Sequence, residues 1–442
     1  MKHFKPLMLL IVPLMLGGCI KRGQKQAVPT EGKVNVHIKS LVGGSDDDPG
    51  KEVSINFADS YFNNSATEFS NELKMLSFGA SIAASKEETA TEFYATMGFD
   101  NFVAHYPEPG EDTIGYAFAH KSIGKKVDLV SLSIRGFEYK TEWANNITIG
   151  KEGNHAGFEA CAEEILGSMV DYLDAYKKHT VKLWVSGYSR AGGVANVLAS
   201  KLMSDNSPVQ TNQDNLFVYT YEAPRGLTEA NAIHYENVFN MINEGDIVAK
   251  IAPEAYGLYR CGKDVIINSG KDVDALTKAF DPNTKMPAFT PSADQYADEQ
   301  QFCNYLLNKL LEETEDETAS ISTREAFVDN YQQHLSYVIG LFFSLPDATV
   351  NKIKDKFKSL GMFDIIGLLA EDGLYNFLHP ILDEDEIPYQ AEKLQPACNG
   401  LVKLVTAKIE LALTIYTSEG AKNNAIRSLY LHSPETVYVL MK

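Results

Sequence analysis

Basic residues are scarce in this chain relative to acidic ones. The 442 residues include 40 Lys and Arg against 59 Asp and Glu, which gives a formal net charge of −19. Because contacts with phosphate groups need clustered Lys and Arg, this balance excludes a nucleic-acid-binding protein. It also disfavours the electrostatic attraction of an acidic substrate. The length allows one to three domains.

Long apolar runs are also absent, since no stretch reaches the roughly eighteen apolar residues of a membrane-spanning helix. The apolar run Leu7–Leu16 is too short, and with Lys2 and Lys5 before it, it has the layout of an export signal. It ends in Leu16-Gly17-Gly18-Cys19, which resembles the bacterial lipobox, where the Cys becomes the lipidated first residue. We therefore expect an exported protein held at the bacterial cell membrane or cell surface by a lipid on Cys19. The alternative is an ordinary signal peptide with an incidental Cys.

Cysteine is rare, with five residues in the chain. Apart from Cys19, the cysteines are Cys161, Cys261, Cys303 and Cys398. They are far apart and form no C-x-x-C pair, which argues against a structural zinc site. Four cysteines in an exported protein allow three disulfide pairings, and buried free thiols are an equal alternative.

The middle of the chain alternates between strand and helix patterns. Apolar, β-rich runs predict strands at Val127–Ile134, Val181–Val185, Leu216–Tyr221 and Val238–Ile242. Helical spacing of apolar residues predicts helices at Ala66–Ala84, Ala156–Tyr176 and Ala191–Met203. This alternation is typical of an α/β protein with a mostly parallel sheet flanked by helices.

The order of these patterns predicts five segments. They are a signal peptide (1–18), a polar tether (19–33), an α/β core (34–264), a helical insertion or cap (265–424) and a return to the core (425–442). Two apolar stretches in the insertion, Val338–Leu345 and Met362–Leu378, either form a lid or acyl-binding surface or fill the core of the cap.

The segment around Ser189 predicts a nucleophile elbow. The strand Val181–Val185 enters a turn with Gly187 before Ser189 and with Ala191 and Gly192 after it, and a helix pattern follows at once. Such a turn lifts the Ser hydroxyl to the edge of the sheet, where the helix N-terminus favours negative charge. Ala191 stands where the strict G-x-S-x-G pattern has Gly. The alternative is an ordinary strand-to-helix turn with a buried Ser.

A serine nucleophile needs a base and an acid that orients it. Asp246 follows the predicted strand Val238–Ile242, which is the position expected of the acid. Of the later histidines, His334 lies within a helix pattern and His379 precedes a proline, so both suit structural roles. His432 lies in a short turn near the end of the chain and is the predicted base.

Five motifs in the same order resemble the class 3 lipase family, the fungal-type triacylglycerol lipases and their bacterial relatives. They are Ser131-Leu132-Ser133-Ile134-Arg135-Gly136, His155-Ala156-Gly157-Phe158, the elbow Gly187–Gly193, Thr220-Tyr221-Glu222-Ala223-Pro224-Arg225 (similar to Thr-Phe-Gly-x-Pro-Arg) and Asn243-Glu244-Gly245-Asp246-Ile247-Val248. The resemblance implies an α/β-hydrolase fold. The helical insertion fills the gap between Asp246 and His432, which is much wider here than in compact members of the family. The resemblance also implies Ser189 as nucleophile, Asp246 as acid and His432 as base, with the backbone amides of Phe137 and Arg190 as the oxyanion hole. His155 is expected to be structural.

We therefore expect a serine ester hydrolase, a lipase, esterase or phospholipase, that acts on hydrophobic acyl esters without metal or organic cofactor. Its partners would be the lipid or other ester substrate and a membrane, and not nucleic acid. Two alternatives remain. One is a non-catalytic surface lipoprotein that uses the fold as a binding module, and the other is a serine peptidase.

Overall fold

The structure is a computed structural model that describes residues 28–39, 50–107, 114–137 and 143–442. The expected signal peptide, the lipidation site Cys19 and most of the expected tether lie outside the described residues. Within the described residues, no helix is long and apolar enough to cross a bilayer.

The centre of the fold is a seven-stranded sheet in the order β3-β4-β5-β6-β7-β8-β9. Strands β5 to β9 are parallel, whereas β3 and β4 are antiparallel at one edge. The strands of the chain are β1 Glu31–Ile38, β2 Lys51–Ala58, β3 Asp100–His105, β4 Tyr116–Gly124, β5 Val127–Ile134, β6 Thr180–Tyr188, β7 Leu216–Tyr221, β8 Val238–Ile242 and β9 Lys263–Ile266. The expected mostly parallel sheet of an α/β-hydrolase is therefore confirmed.

Helices cover both faces of this sheet. The helices of the core are α1 Asn71–Ala83, α2 Glu87–Thr96, α3 Trp143–Ile147, α4 Ala156–Leu173 and α5 Arg190–Leu202. Successive residues of β6 point to opposite faces, so Trp184 packs in the same cluster as residues of α1, and Val185 packs with residues of α4 and α5. Burial on both faces explains why β7 and β8 are mostly apolar, with Thr220 and Asn240 as buried polar exceptions, and this composition makes both strands easy to recognise in the sequence.

A separate two-stranded hairpin packs on the α1 side of the sheet. Strands β1 and β2 pair antiparallel, and their alternate residues Val34, Val36, Val53 and Ile55 are buried. Because β1 begins at Glu31, the expected C-terminal boundary of the tether at residue 33 is wrong. Residues 31–33 are polar and show no strand pattern, since the alternation of buried and exposed residues begins only at Val34.

The segment between β9 and the C-terminus is helical. Its helices are α6 Val273–Phe280, α7 Glu299–Leu311, α8 Arg324–Phe327, α9 Gln333–Ser344, α10 Asp347–Lys358, α11 Met362–Leu368, α12 Gly373–Glu384, α13 Ala391–Ala407, α14 Ile409–Thr417, α15 Glu419–Tyr430 and α16 Pro434–Met441. The expected boundaries need correction. The expected boundary between residues 264 and 265 falls inside β9, a strand of four residues that is too short to recognise in the sequence. The expected boundary between residues 424 and 425 falls inside α15.

The insertion has two apolar clusters of its own. One centres on Phe302 of α7 and Leu411 of α14. The other joins Leu345, Leu382 and Leu394, and residues of both apolar stretches noted above pack against it, including Leu341 and Leu374. These contacts favour the interpretation of the two stretches as the core of the cap.

Candidate active site

Ser189 lies at a strained turn between β6 and α5. Its backbone has φ 55° and ψ −127°, a region that residues other than Gly rarely adopt. The Ser189 amide donates a hydrogen bond to the carbonyl of Tyr221 (2.7 Å), and the Ser189 carbonyl accepts one from the amide of Gly192 (2.8 Å). The neighbouring strand and the first turn of the helix therefore hold the turn in place.

The small residues around Ser189 are required by close backbone approach. A Cβ atom on Gly187 would lie 2.4 Å from the carbonyl oxygen of Ala191, and one on Gly192 would lie 2.8 Å from the Cβ of Ala223. Ala191 is fully buried at the position where the strict motif has Gly. The structure thus accommodates the departure from G-x-S-x-G at Ala191, while it requires Gly at 187.

The structure brings the three predicted residues together. His432 Nε2 lies 2.8 Å from Ser189 Oγ, and His432 Nδ1 lies 2.6 Å from Asp246 Oδ2. Asp246 is fully buried, and its other oxygen accepts a hydrogen bond from the amide of Val248 (2.8 Å). His432 is 8% exposed. This chain of hydrogen bonds is the arrangement in which an imidazole accepts a serine proton while a carboxylate fixes its tautomer.

Two residues that sequence reasoning did not single out position the histidine. The hydroxyl of Tyr188 donates to the carbonyl of His432 (2.6 Å). The side chain of Asn243 donates to the carbonyl of Leu431 (3.3 Å) and accepts from the amide of Gly245 (3.1 Å), so it links the loop of the base to the loop of the acid. Both roles depend on contacts between residues that are distant in the chain, across 188 residues for Asn243 and 244 residues for Tyr188.

Burial keeps Tyr188 a neutral donor. The hydroxyl is fully buried, and burial raises the pKa of Tyr188 well above its usual value, with further contributions from the nearby acidic groups Glu222, Asp246 and Glu435. The bond to the His432 carbonyl therefore persists at any pH at which the protein would be assayed.

The predicted oxyanion donors lie on the two segments that meet at the elbow. Arg190 is the first residue of α5 and directly follows Ser189. Phe137 follows Gly136, where a Cβ atom would lie 1.9 Å from the carbonyl oxygen of Tyr188, so the segment packs directly against the end of β6. The ring of Phe137 lies 5.9 Å from that of Tyr188.

The three other histidines considered in the sequence analysis lie outside this arrangement. His155 caps α4 by accepting a hydrogen bond from the amide of Phe158 (3.4 Å), and burial lowers the pKa of His155 to about 3. His334 is in α9 of the insertion, next to Gly400. His379 is in α12 and stacks on Tyr375.

The cysteines and acidic residues offer no second centre in the part of the chain that the structure describes. Cys161, Cys261, Cys303 and Cys398 are buried thiols rather than disulfides. Within the same residues, no three His, Cys, Asp or Glu side chains are grouped so that they could hold a metal ion.

Comparison with known families agrees with this geometry. Residues 131–256 match the family model described as Lipase (class 3). This part of the chain is therefore similar to the class 3 lipases. The matched segment contains Ser189 and Asp246, and the match supports a lipase-type ester hydrolase. No curated protein sequence matches the chain.

Several solved lipase structures are similar to part of this chain. The triacylglyceride lipase of Rhizomucor miehei has 21% sequence identity and a TM-score of 0.36, with 46% of this chain and 82% of that chain covered. The lipase of Rhizopus microsporus var. chinensis has 17% identity and a TM-score of 0.32, with 45% and 75% covered. Lipase II of Rhizopus niveus has 16% identity and a TM-score of 0.30, with 48% and 81% covered.

Proposed function

We propose that this protein is a serine ester hydrolase that cleaves carboxylic esters of hydrophobic acyl groups. The observation that carries the proposal is the continuous hydrogen-bond chain from Ser189 through His432 to Asp246. Its members come from three distant parts of the sequence, and the strained backbone of Ser189 is the kind of conformation that persists where function requires it.

The first step forms an acyl-enzyme. His432 Nε2 takes the proton of the Ser189 hydroxyl as the oxygen attacks the ester carbonyl, and the imidazolium then gives this proton to the leaving alcohol. Asp246 stabilises the imidazolium through His432 Nδ1. In the second step, His432 deprotonates a water molecule that attacks the carbonyl of the acyl-enzyme. His432 then returns this proton to the Ser189 oxygen as the carboxylic acid is released, so that the free Ser189 hydroxyl is restored.

The oxyanion of each tetrahedral intermediate would be held by the backbone amides of Phe137 and Arg190. The N-terminus of the thirteen-residue helix α5 adds positive potential at the same point. Because Phe137 has no hydroxyl, its contribution is limited to the backbone amide.

The 2.8 Å hydrogen bond between Ser189 and His432 favours an enzyme over a non-catalytic binding module, because a protein that only binds does not require this contact. A serine peptidase would use the same three groups, so the substrate decides between the two activities. We further propose that a lipid on Cys19 anchors the enzyme to a membrane, which would place it near its ester substrates.

Turnover of nitrophenyl esters of increasing acyl length, compared with nitroanilide peptides, tests the proposal. We expect the wild type to hydrolyse the esters faster than the peptides and Ser189→Ala to lose at least about 10³-fold in kcat. Ser186→Ala is the matched control, because the buried Ser186 hydroxyl in the same strand has no hydrogen-bond partner among the described residues. Peptide turnover above ester turnover would select the peptidase, and equal activity of Ser189→Ala and wild type would contradict the nucleophile.

A further inference from the structure

Glu222, which directly follows β7, has an environment that is unusual for a glutamate. The residue is fully buried, and its backbone has φ 49°, in the left-handed region that favours glycine. The class 3 lipase motif quoted above has Gly at this place. The Glu222 amide donates to the carbonyl of Met241 (2.9 Å), so the strained conformation is fixed by the neighbouring strand.

Both the backbone and the side chain of Glu222 are unfavourable to folding. A left-handed conformation at a residue other than Gly costs about 1 kcal/mol. A buried carboxyl group adds a desolvation penalty unless it is neutral or fully paired. A side chain kept under both penalties indicates a specific interaction.

The contacts of Glu222 point to the catalytic acid. Its carboxyl oxygens accept from the amide of Asn243 (3.0 and 3.2 Å), and its side chain lies within hydrogen-bonding reach of the Asp246 carboxyl. The amide of Asp246 in turn donates to the carbonyl of Asn243 (3.0 Å). Two acidic groups thus share one buried turn.

The nearby cation does not neutralise this pair. Arg260 forms two hydrogen bonds with Asp264 (3.1 and 2.6 Å) and two more with the carbonyls of Ala223 and Ala249. Its charge is therefore already balanced by Asp264. The other titratable groups around the two carboxyls are His432, Tyr188 and Cys303.

Two adjacent buried carboxyl groups cannot both be ionised at low energy, so one of them keeps a proton. Burial raises the pKa of Glu222 well above its usual value, and the negative charge of Asp246 and a hydrogen bond with it raise it further. Asp246 already acts as a hydrogen-bond acceptor toward His432 and toward the amide of Val248, so the donor between the two carboxyl groups has to come from Glu222. Glu222 is therefore the protonated partner.

We propose that Glu222 is a positioning residue whose protonated carboxyl donates a hydrogen bond to Asp246 and fixes the carboxylate that orients His432. This role rests on the proposed function of Asp246 as the catalytic acid. Sharing of the Asp246 charge with Glu222 limits how strongly the carboxylate favours the imidazolium form of His432. The histidine is then more available as a base.

Two substitutions separate this role from simple packing. Glu222→Gln keeps the shape and retains an N–H donor toward Asp246, whereas Glu222→Met has similar length and no donor. The readout is the rate at which diisopropyl fluorophosphate phosphorylates Ser189, with release of fluoride, followed by mass spectrometry as a function of pH. We expect Glu222→Met to shift the acid limb of this profile to higher pH by roughly half a unit or more, and Glu222→Gln to restore the wild-type profile.

An infrared difference spectrum of wild type minus Glu222→Gln at neutral pH provides a second test that does not need Glu222→Met to fold. The expected result is the carbonyl stretch of a protonated carboxyl in the wild type. Ionised carboxylate bands alone, or identical profiles of Glu222→Met and wild type, would overturn the proposal. If the reagent does not modify Ser189 of the wild type, the triad itself fails and the role of Glu222 fails with it.

Discussion

His155 and His432 show at the scale of single residues how surroundings assign roles to the same side chain. Both are buried, but His155 stacks on Phe158 at 3.8 Å and caps a helix, whereas both ring nitrogens of His432 face catalytic partners. Their order in the chain was enough to distinguish them in the sequence.

The lowered pKa of His155 predicts an acid sensitivity of the fold. The unfolded chain binds a proton at this residue below about pH 6.5, but the folded protein resists doing so until about pH 3. The native state therefore loses stability as the pH falls through this window, by up to ~1.4 kcal/mol per pH unit. In urea unfolding at several pH values, we expect His155→Asn, which keeps a capping oxygen but cannot titrate, to show a smaller acid-dependent loss. Equal losses in both proteins would contradict this assignment.

The residues of the site were predictable to different degrees. Ser189, Asp246 and His432 were identified because each follows a recognisable element in a fixed order. Glu222, Tyr188 and Asn243 were not assigned roles, because their importance comes from contacts with residues that are distant in the chain. No local pattern shows that Glu222 shares a turn with Asp246 or that Tyr188 reaches His432.

Helix α7 is the element that joins the insertion to the site. Three hydrogen bonds join α7 to the loop that contains Asp246, residues 243–250, called the acid loop below. The Gln300 side chain donates to Glu244 (2.7 Å), and the Cys303 thiol donates to the carbonyl of Gly245 (3.1 Å). The Asn304 side chain accepts from Lys250 (3.1 Å). This part of the insertion therefore braces Asp246.

A substitution at Gly245 tests whether α7 holds the acid loop in place. A Cβ atom there would lie 2.6 Å from Leu431, next to His432, and 2.7 Å from Glu299 of α7. We expect Gly245→Ala to separate the acid loop from the base loop and to lower kcat by about tenfold or more, as small misplacements of catalytic groups do. Gly167→Ala in α4 is the control, because open space surrounds that position and Ala should stabilise the helix by up to about 1 kcal/mol. Ester hydrolysis by Gly245→Ala at the wild-type rate would refute the brace.

Some strands can be predicted from the sequence more easily than others. The strands β5, β7 and β8 were predicted at their observed ends, because they are buried apolar runs bounded by polar turns. The antiparallel strands β3 and β4 mix polar and apolar residues, and β9 has four residues, so neither periodicity nor length marks these three strands in the sequence.

At the scale of the whole molecule, Arg324 fastens the insertion to the core. Its guanidinium donates to the carbonyls of Ile149, Gly150, Glu152, Gly153 and Asn154, which form the loop before α4. The sequence does not reveal these partners, because most of them are more than 170 residues away from Arg324 in the chain.

We expect Arg324→Ala to lower the free energy of unfolding by about 2–4 kcal/mol, because several carbonyls lose a charged donor at once. Lys151→Ala is the matched control at the same interface, since Lys151 forms an exposed ion pair with Asp329, and such exposed pairs contribute little to stability. Hydrogen exchange should also accelerate in residues 324–344 of the Arg324 variant. Equal effects of the two substitutions on unfolding would contradict the anchoring role.

The central claim is that Ser189 is the nucleophile of a triad with His432 and Asp246. Labelling of the intact protein with a fluorophosphonate probe, followed by peptide mapping, measures this most directly. We expect one phosphonyl group on Ser189 of the wild type and none on Ser189→Ala. Equal labelling of the two proteins would contradict it.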